Sequence, residues 1–147
     1  MKVLNEMTMN FESRSSNEAF ARGAVALFVA QLDPTVSEIS DIKTAVSEAV
    51  TNCVVHAYTD TVGMIRINVR ILPDNTVIIK IADRGCGIED IKKAMEPLFT
   101  TTREQERAGL GFAVMQSFCD SVSVRSTVGK GTTVTLRKRL SLRCANV

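Results

Sequence analysis

Ile65, Ile67, Val69 and Ile71 alternate without a break with Arg66, Asn68 and Arg70. Successive side chains of a strand point to opposite faces, so this strand has one apolar side and one wet side. No other stretch constrains the fold as strongly. A sheet with one wet face carries its helices on the other face only. Pro73-Asp74-Asn75 then makes a turn, and Val77 to Ala82 returns as a strand, which gives a hairpin. The expected architecture is an α+β two-layer sandwich on a largely antiparallel mixed sheet, not a doubly wound fold.

The remaining elements follow from periodicity. Met7, Met9 and Phe11 alternate with Thr8 and Asn10, which predicts a first strand. Ser15 or Ser16 is placed to cap a helix running to about Leu32, with Phe20, Ala24, Leu27 and Phe28 on one face. Asp33-Pro34 breaks it. A second helix is predicted from about Ser37 to Ala57, with Ile39, Ile42, Val46, Ala49, Val50, Cys53 and Ala57 on its apolar face. Ile88 to Met95 reads as a short helix. Glu96 to Ala108 has no sustained period and is expected to be a mobile loop. Gly109 to Cys119 reads as a third main helix. Val122 to Ser126 and Thr132 to Leu140 read as a hairpin around Gly129-Lys130-Gly131. With 147 residues, 45% hydrophobic and 23% charged, one domain spanning 1–147 is expected.

Composition also narrows the function. A net charge of +2 is too small to argue for direct nucleic-acid binding. Cys53, Cys86, Cys119 and Cys144 form no C-x-x-C pair, so neither a zinc site nor a redox motif is indicated. Cys53 falls within the helical apolar pattern and reads as a small buried hydrophobe. Met1 to Asn10 mixes polar and apolar residues, unlike a signal peptide, and no apolar run is long enough for a membrane span. A cytoplasmic protein with free thiols is expected.

Two places carry the chemistry. Glu48 and Asn52 stand four apart on the second helix and project to the same side. They share a flank with Ala45 and His56. On the helix alone that row reads as an ordinary solvated flank. Small Ala45, and the strand that runs into Asp83-Arg84-Gly85-Cys86-Gly87 downstream, argue instead for a site. His56 reads as a helix-end histidine near the last carbonyls. Asp83-x-Gly85-x-Gly87 is either a plain glycine turn or an acceptor for an exocyclic amine beside backbone that a flat ligand can approach. Gly109-Leu110-Gly111-Phe112 opens a helix whose first amides suit a phosphate, or is simply a loop end. Arg107 is placed to neutralise phosphate charge, or is a solvated loop arginine. Gly129-Lys130-Gly131-Thr132 is not a P-loop: a glycine follows the lysine, and a strand follows rather than a helix. Thr132 and Thr133 remain within reach of a ligand held between sheet and helices.

These pieces in this order resemble the Bergerat-type ATP-binding fold of histidine kinases, gyrase-type ATPases, Hsp90 and MutL. The resemblance is closer still to the small bacterial anti-sigma-factor serine kinases. It is carried by Asn17-Glu18-Ala19-Phe20-Ala21-Arg22, Ser47-Glu48-Ala49-Val50-Thr51-Asn52, His56-Ala57-Tyr58 and Pro97-Leu98-Phe99-Thr100-Thr101. Within that group the chain is most similar to the sporulation branch, with the general-stress branch next. The resemblance implies ATP or ADP with Mg²⁺ as cofactors. It implies that Asn52 coordinates the metal and that Glu48 is the general base for an attacking serine hydroxyl. Asp83 would read the adenine amine with Gly85 and Gly87 beside the base. Thr100, Thr101 and Arg107 would belong to a lid, Gly109 and Gly111 would meet phosphates, and Thr132 or Thr133 would close the pocket. Arg22 would grip protein partners, namely a sigma factor and an anti-anti-sigma factor that is phosphorylated. A homodimer is also implied, and a short first strand with an open edge is compatible with it. Two other readings stay open: a nucleotide-gated binding module without turnover, and a detached histidine-kinase domain, against which the missing phosphoacceptor helix pair counts.

Overall fold

The computed structural model describes residues 2–95 and 111–142. Strands β1 (Asn5–Glu12), β2 (Met64–Ile71), β3 (Thr76–Asp83), β4 (Ser121–Thr127) and β5 (Gly131–Arg139) form one sheet in the order β1-β2-β3-β5-β4. All four ladders are antiparallel. The register explains the two layers. Met7, Val69, Ile79, Leu136 and Val122 lie opposite one another in a single row across all five strands. One residue along, the row is Thr8, Asn68, Lys80, Thr135 and Ser123. The first row lies against the helices and the second faces away.

Helices α1 (Ser16–Val29) and α2 (Val36–Asn52), with the short α3 (Ile91–Met95) and α4 (Phe112–Phe118), supply the second layer. α2 is central, packed against α1 on one flank and α4 on the other. Ile42, Val46 and Val50 of α2 are buried with Ile65, Ile67, Ile81, Phe112 and Met115. Each such side chain contributes roughly 1.5–3 kcal/mol by leaving water. The N-terminus of α2 carries a signal that its apolar pattern does not show. Thr35 Oγ1 accepts from the Glu38 amide at 3.0 Å, and the Thr35 amide donates to Glu38 Oε1 at 2.9 Å. This capping box satisfies two orphan donors at once and sets the start at Val36.

The predicted face of α1 holds only at Phe28, which packs half-buried against the core. The buried residues are Ala21, Val25, Ala26 and Val29, while Phe20 and Leu27 are 57% and 79% exposed. The buried stripe that packs on α2 is built from small side chains, whereas the large apolar residues mark the outside. Phe20 instead meets Phe11 of β1 edge-on, with centroids 6.3 Å apart. The first strand, at eight residues, is as long as β2 and β3, and it occupies one sheet edge. The segment 96–108, expected to be a loop, lies outside the described residues. Among the described residues, no helix is long and apolar enough to cross a membrane.

Candidate nucleotide site

α2 does not end in an ordinary turn. From Cys53 to Ala57 the backbone widens by one residue per turn, and the Tyr58 amide reaches back to the Cys53 carbonyl at 3.1 Å. Such widened turns are rare and gather at functional sites. The Ala57 carbonyl accepts from the Cys86 amide at 3.1 Å. The helix end and the Asp83–Gly87 turn are thereby joined.

That turn is tied down almost amide by amide. The Arg84 amide donates to Tyr58 Oη at 2.6 Å, and Tyr58 Oη donates to the Met64 carbonyl at 2.9 Å. The Gly85 amide donates to Asp83 Oδ1 at 2.9 Å. The Ile88 amide donates to Ser126 Oγ at 2.7 Å, and Ser126 Oγ lies 2.7 Å from Thr132 Oγ1. The Gly129 amide donates to the Cys86 carbonyl at 2.8 Å. Gly85 therefore serves a different purpose from the one expected. A Cβ on Gly85 would run into the Ala57 carbonyl, so its bareness fits helix to turn rather than turn to ligand. Gly87, at φ +80°, backs onto the Thr127 carbonyl and also borders the cleft.

Asp83 closes β3 opposite Thr132 of β5. Its Oδ1 takes two amides, from Gly85 at 2.9 Å and Thr132 at 3.2 Å. Among the described residues its Oδ2 receives the Cys53 thiol alone, at 3.6 Å. One oxygen is anchored and the other keeps acceptor capacity. Burial, followed by the Asp83 charge, pushes the Cys53 thiol far above its ordinary range, so it stays a donor.

A cavity of about 160 Å³ opens between α2 and the ends of β3 and β5. Asn52, Cys53, Asp83, Gly87, Phe112 and Thr132 are among its walls. It is smaller than the roughly 300 Å³ at which ligand pockets usually begin. A flat heterocycle suits it better than a whole nucleotide. Ala49, Ile88 and Val134 give it apolar sides, and Asp83 Oδ2 gives it one strong acceptor. Adenine fits that chemistry. Among the described residues no group of three carboxylate, histidine or cysteine side chains could hold a metal. The single amide of Asn52 on the cavity wall fits a Mg²⁺ whose other ligands are phosphate oxygens and water.

Glu48 stands one turn before Asn52, half-buried. Its carboxylate fills the space where a Cβ on Gly111 would lie, and Gly111, at φ +67°, opens α4. Two sequence-predicted pieces thus meet. Desolvation, and secondly the Glu18 charge, raise the Glu48 carboxyl above its ordinary value. Glu18 was missed in the sequence. It accepts from Thr51 Oγ1 at 3.0 Å and pairs with Arg22 at 3.5 Å. Arg22 also reaches Ser47 Oγ at 3.5 Å, so it lies on the α1–α2 joint.

Of the two threonines, Thr132 is buried on the cleft side. Thr133 faces the opposite, helix-free side of the sheet with Arg66, Asn68 and Lys80. Strand alternation forbids both from lining one pocket. His56, read from sequence as a helix-end residue, lines the cavity, and burial lowers its pKa. Thr100, Thr101, Arg107 and Gly109 lie outside the described residues.

Comparison with known proteins agrees with this geometry. Residues 11–138 match the histidine kinase-like ATPase domain. An anti-sigma F factor of Caldanaerobacter subterraneus subsp. tengcongensis is 59% identical over 94% of this chain and 96% of its own. One from Thermoanaerobacter sp. is 57% identical with the same coverage. The crystal structure of the RsbU and RsbW domains of a Mycobacterium tuberculosis protein superposes with a TM-score of 0.68 at 22% identity, covering 92% of this chain and 32% of that longer one. The chain belongs to the histidine kinase-like ATPase family, on the branch whose members are named anti-sigma F factor.

Proposed function

We propose that this protein is a single-domain anti-sigma factor that binds and inhibits a sporulation sigma factor, sigma F. We further propose that, as an ATP-dependent protein-serine kinase, it phosphorylates and inactivates the matching anti-anti-sigma factor. The supporting observation is the half-buried carboxyl of Glu48, one turn from Asn52 and against Gly111, with its proton held more tightly than usual. A carboxylate that binds its proton more tightly is the better base toward a hydroxyl. In this reading Asp83 Oδ2 accepts from the adenine amine, Gly87 and Thr132 border the base, and Asn52 would hold Mg²⁺ on the phosphates. Bound Mg-ATP would supply the phosphoryl group, its Mg²⁺ would offset the phosphate charge, and ADP would be the leaving group. Glu48 orients the serine hydroxyl and takes its proton. In the same reading Thr100, Thr101 and Arg107 would belong to a lid, and Gly109 and Gly111 would meet the phosphates. Arg22, on the exposed α1–α2 joint, grips the protein partners.

The test is transfer of label from Mg-ATP to a purified anti-anti-sigma domain. Phosphoserine on that domain is expected, together with capture of sigma factor in Mg-ATP. Sigma capture without transfer would make the protein a nucleotide-gated binding module instead, and phosphohistidine would make it a histidine kinase. The homodimer belongs to the same proposal. The open outer edge of β1 supports it, and sedimentation at micromolar concentration should show a dimer.

A further inference from the structure

Asp83 must do two opposed things if it reads an amine. It has to be fixed, and it has to keep one oxygen open. The two amides on Oδ1 fix one end only. Turning about the Cβ–Cγ bond moves both oxygens, so the amides on Oδ1 restrain the carboxylate from one side. The restraint on the Oδ2 side comes from Cys53, whose thiol meets that oxygen at 3.6 Å from across the cleft. Cys53 is 3% exposed and lines the cavity itself.

We propose that Cys53 is a positioning residue for nucleobase recognition: its thiol holds Asp83 Oδ2 toward the cavity without using up that oxygen's capacity to accept. The chemistry of sulfur suits the task. An S–H is a weak donor, and a carboxylate oxygen offers about two acceptor sites. A thiol therefore biases the rotamer while leaving a lone pair for the ligand. A methyl group in its place would supply no donor. A hydroxyl would be a stronger donor on a shorter bond, competing with the incoming amine. Cys53 would thus set how sharply the site separates a 6-amino purine from one lacking that amine. The inference rests on the reading of Asp83 as the adenine acceptor.

The experiment measures dissociation constants of the full-length protein for Mg-ADP and for the diphosphate of purine riboside, which has hydrogen in place of the amine. The parent should prefer Mg-ADP. Cys53→Ala should lower that preference about three- to tenfold, within what loss of one hydrogen-bonding partner gives. In an Asp83→Asn background the same change should have no further effect, because coupled residues are non-additive. Equal weakening of both ligands by Cys53→Ala, or an additive double variant, would assign Cys53 to packing and overturn the proposal. If Asp83→Asn alone leaves the preference intact, the reading of Asp83 fails first, and the proposal falls with it. Cys53→Ser should restore melting temperature without restoring the full preference; full restoration would show that donor strength is immaterial.

Discussion

The two carboxylates of the candidate site, Asp83 on the cavity wall and Glu48 against Gly111, are handled in opposite ways. Asp83, at the closed end, has two amides on one oxygen and a thiol on the other, within a turn whose amides are nearly all committed. Glu48, at the α4 end, is half-buried; desolvation first, and the Glu18 charge second, raise its hold on a proton. The first is built to stay where it is and accept. The second holds a proton more tightly than an ordinary glutamate, and in the proposed reaction it takes one from the serine hydroxyl. A site that needs both recognition and chemistry divides the roles between residues because one carboxyl cannot be over-determined and labile together.

The sharpest way to break the comparison is Glu48→Gln. Phosphoryl transfer should fall about 100- to 10,000-fold while Mg-ADP affinity is retained, measured by transfer assay and by titration. The same variant has a stability signature. The folded protein keeps the Glu48 proton at a pH where the unfolded chain has lost it. Stability from this group is therefore present at low pH and lost as pH rises through the raised value. Glutamine cannot ionise, so Glu48→Gln should melt no lower than the parent at pH 7.5.

The closed end is tested by Gly85→Ala, whose methyl meets the Ala57 carbonyl. Overpacking of this kind costs about 1–3 kcal/mol, and urea unfolding should show it along with weaker nucleotide binding. Thr35→Ala provides the control far from the cleft. Loss of the cap should cost about 1 kcal/mol and leave both the transfer rate and its pH profile unchanged. The smallest effect is expected from Glu18→Gln. Removing its charge lowers the Glu48 pKa, so the acidic limb of the transfer rate should move to lower pH with the plateau preserved. An unmoved limb would separate Glu18 from Glu48.

The sheet and its hairpins were legible because alternation in Ile65–Ile71 is a local code, and one wet face decides the number of layers. The α1 face was not legible from side-chain size. Close helix packing favours Ala21 and Val25, and only the partner helix reveals this. Asp83, Asn52 and Glu48 could be picked out by spacing. What each touches could not, since Cys53 meets Asp83 across thirty residues and Glu18 lies on another helix from Glu48. Thr133 was within reach of correction, because placing Thr132 on the cleft side sends its neighbour to the other face.

The hydrogen bond from Cys86 to Ala57 has a consequence for how the protein breathes. The Ala57 carbonyl that follows the Asn52 helix accepts from the turn that carries Asp83, so opening either wall breaks a bond to the other. Amide exchange at Cys86 and at the end of α2 should follow one opening reaction. A ligand that touches only the Asp83 wall would then slow exchange in the helix as well.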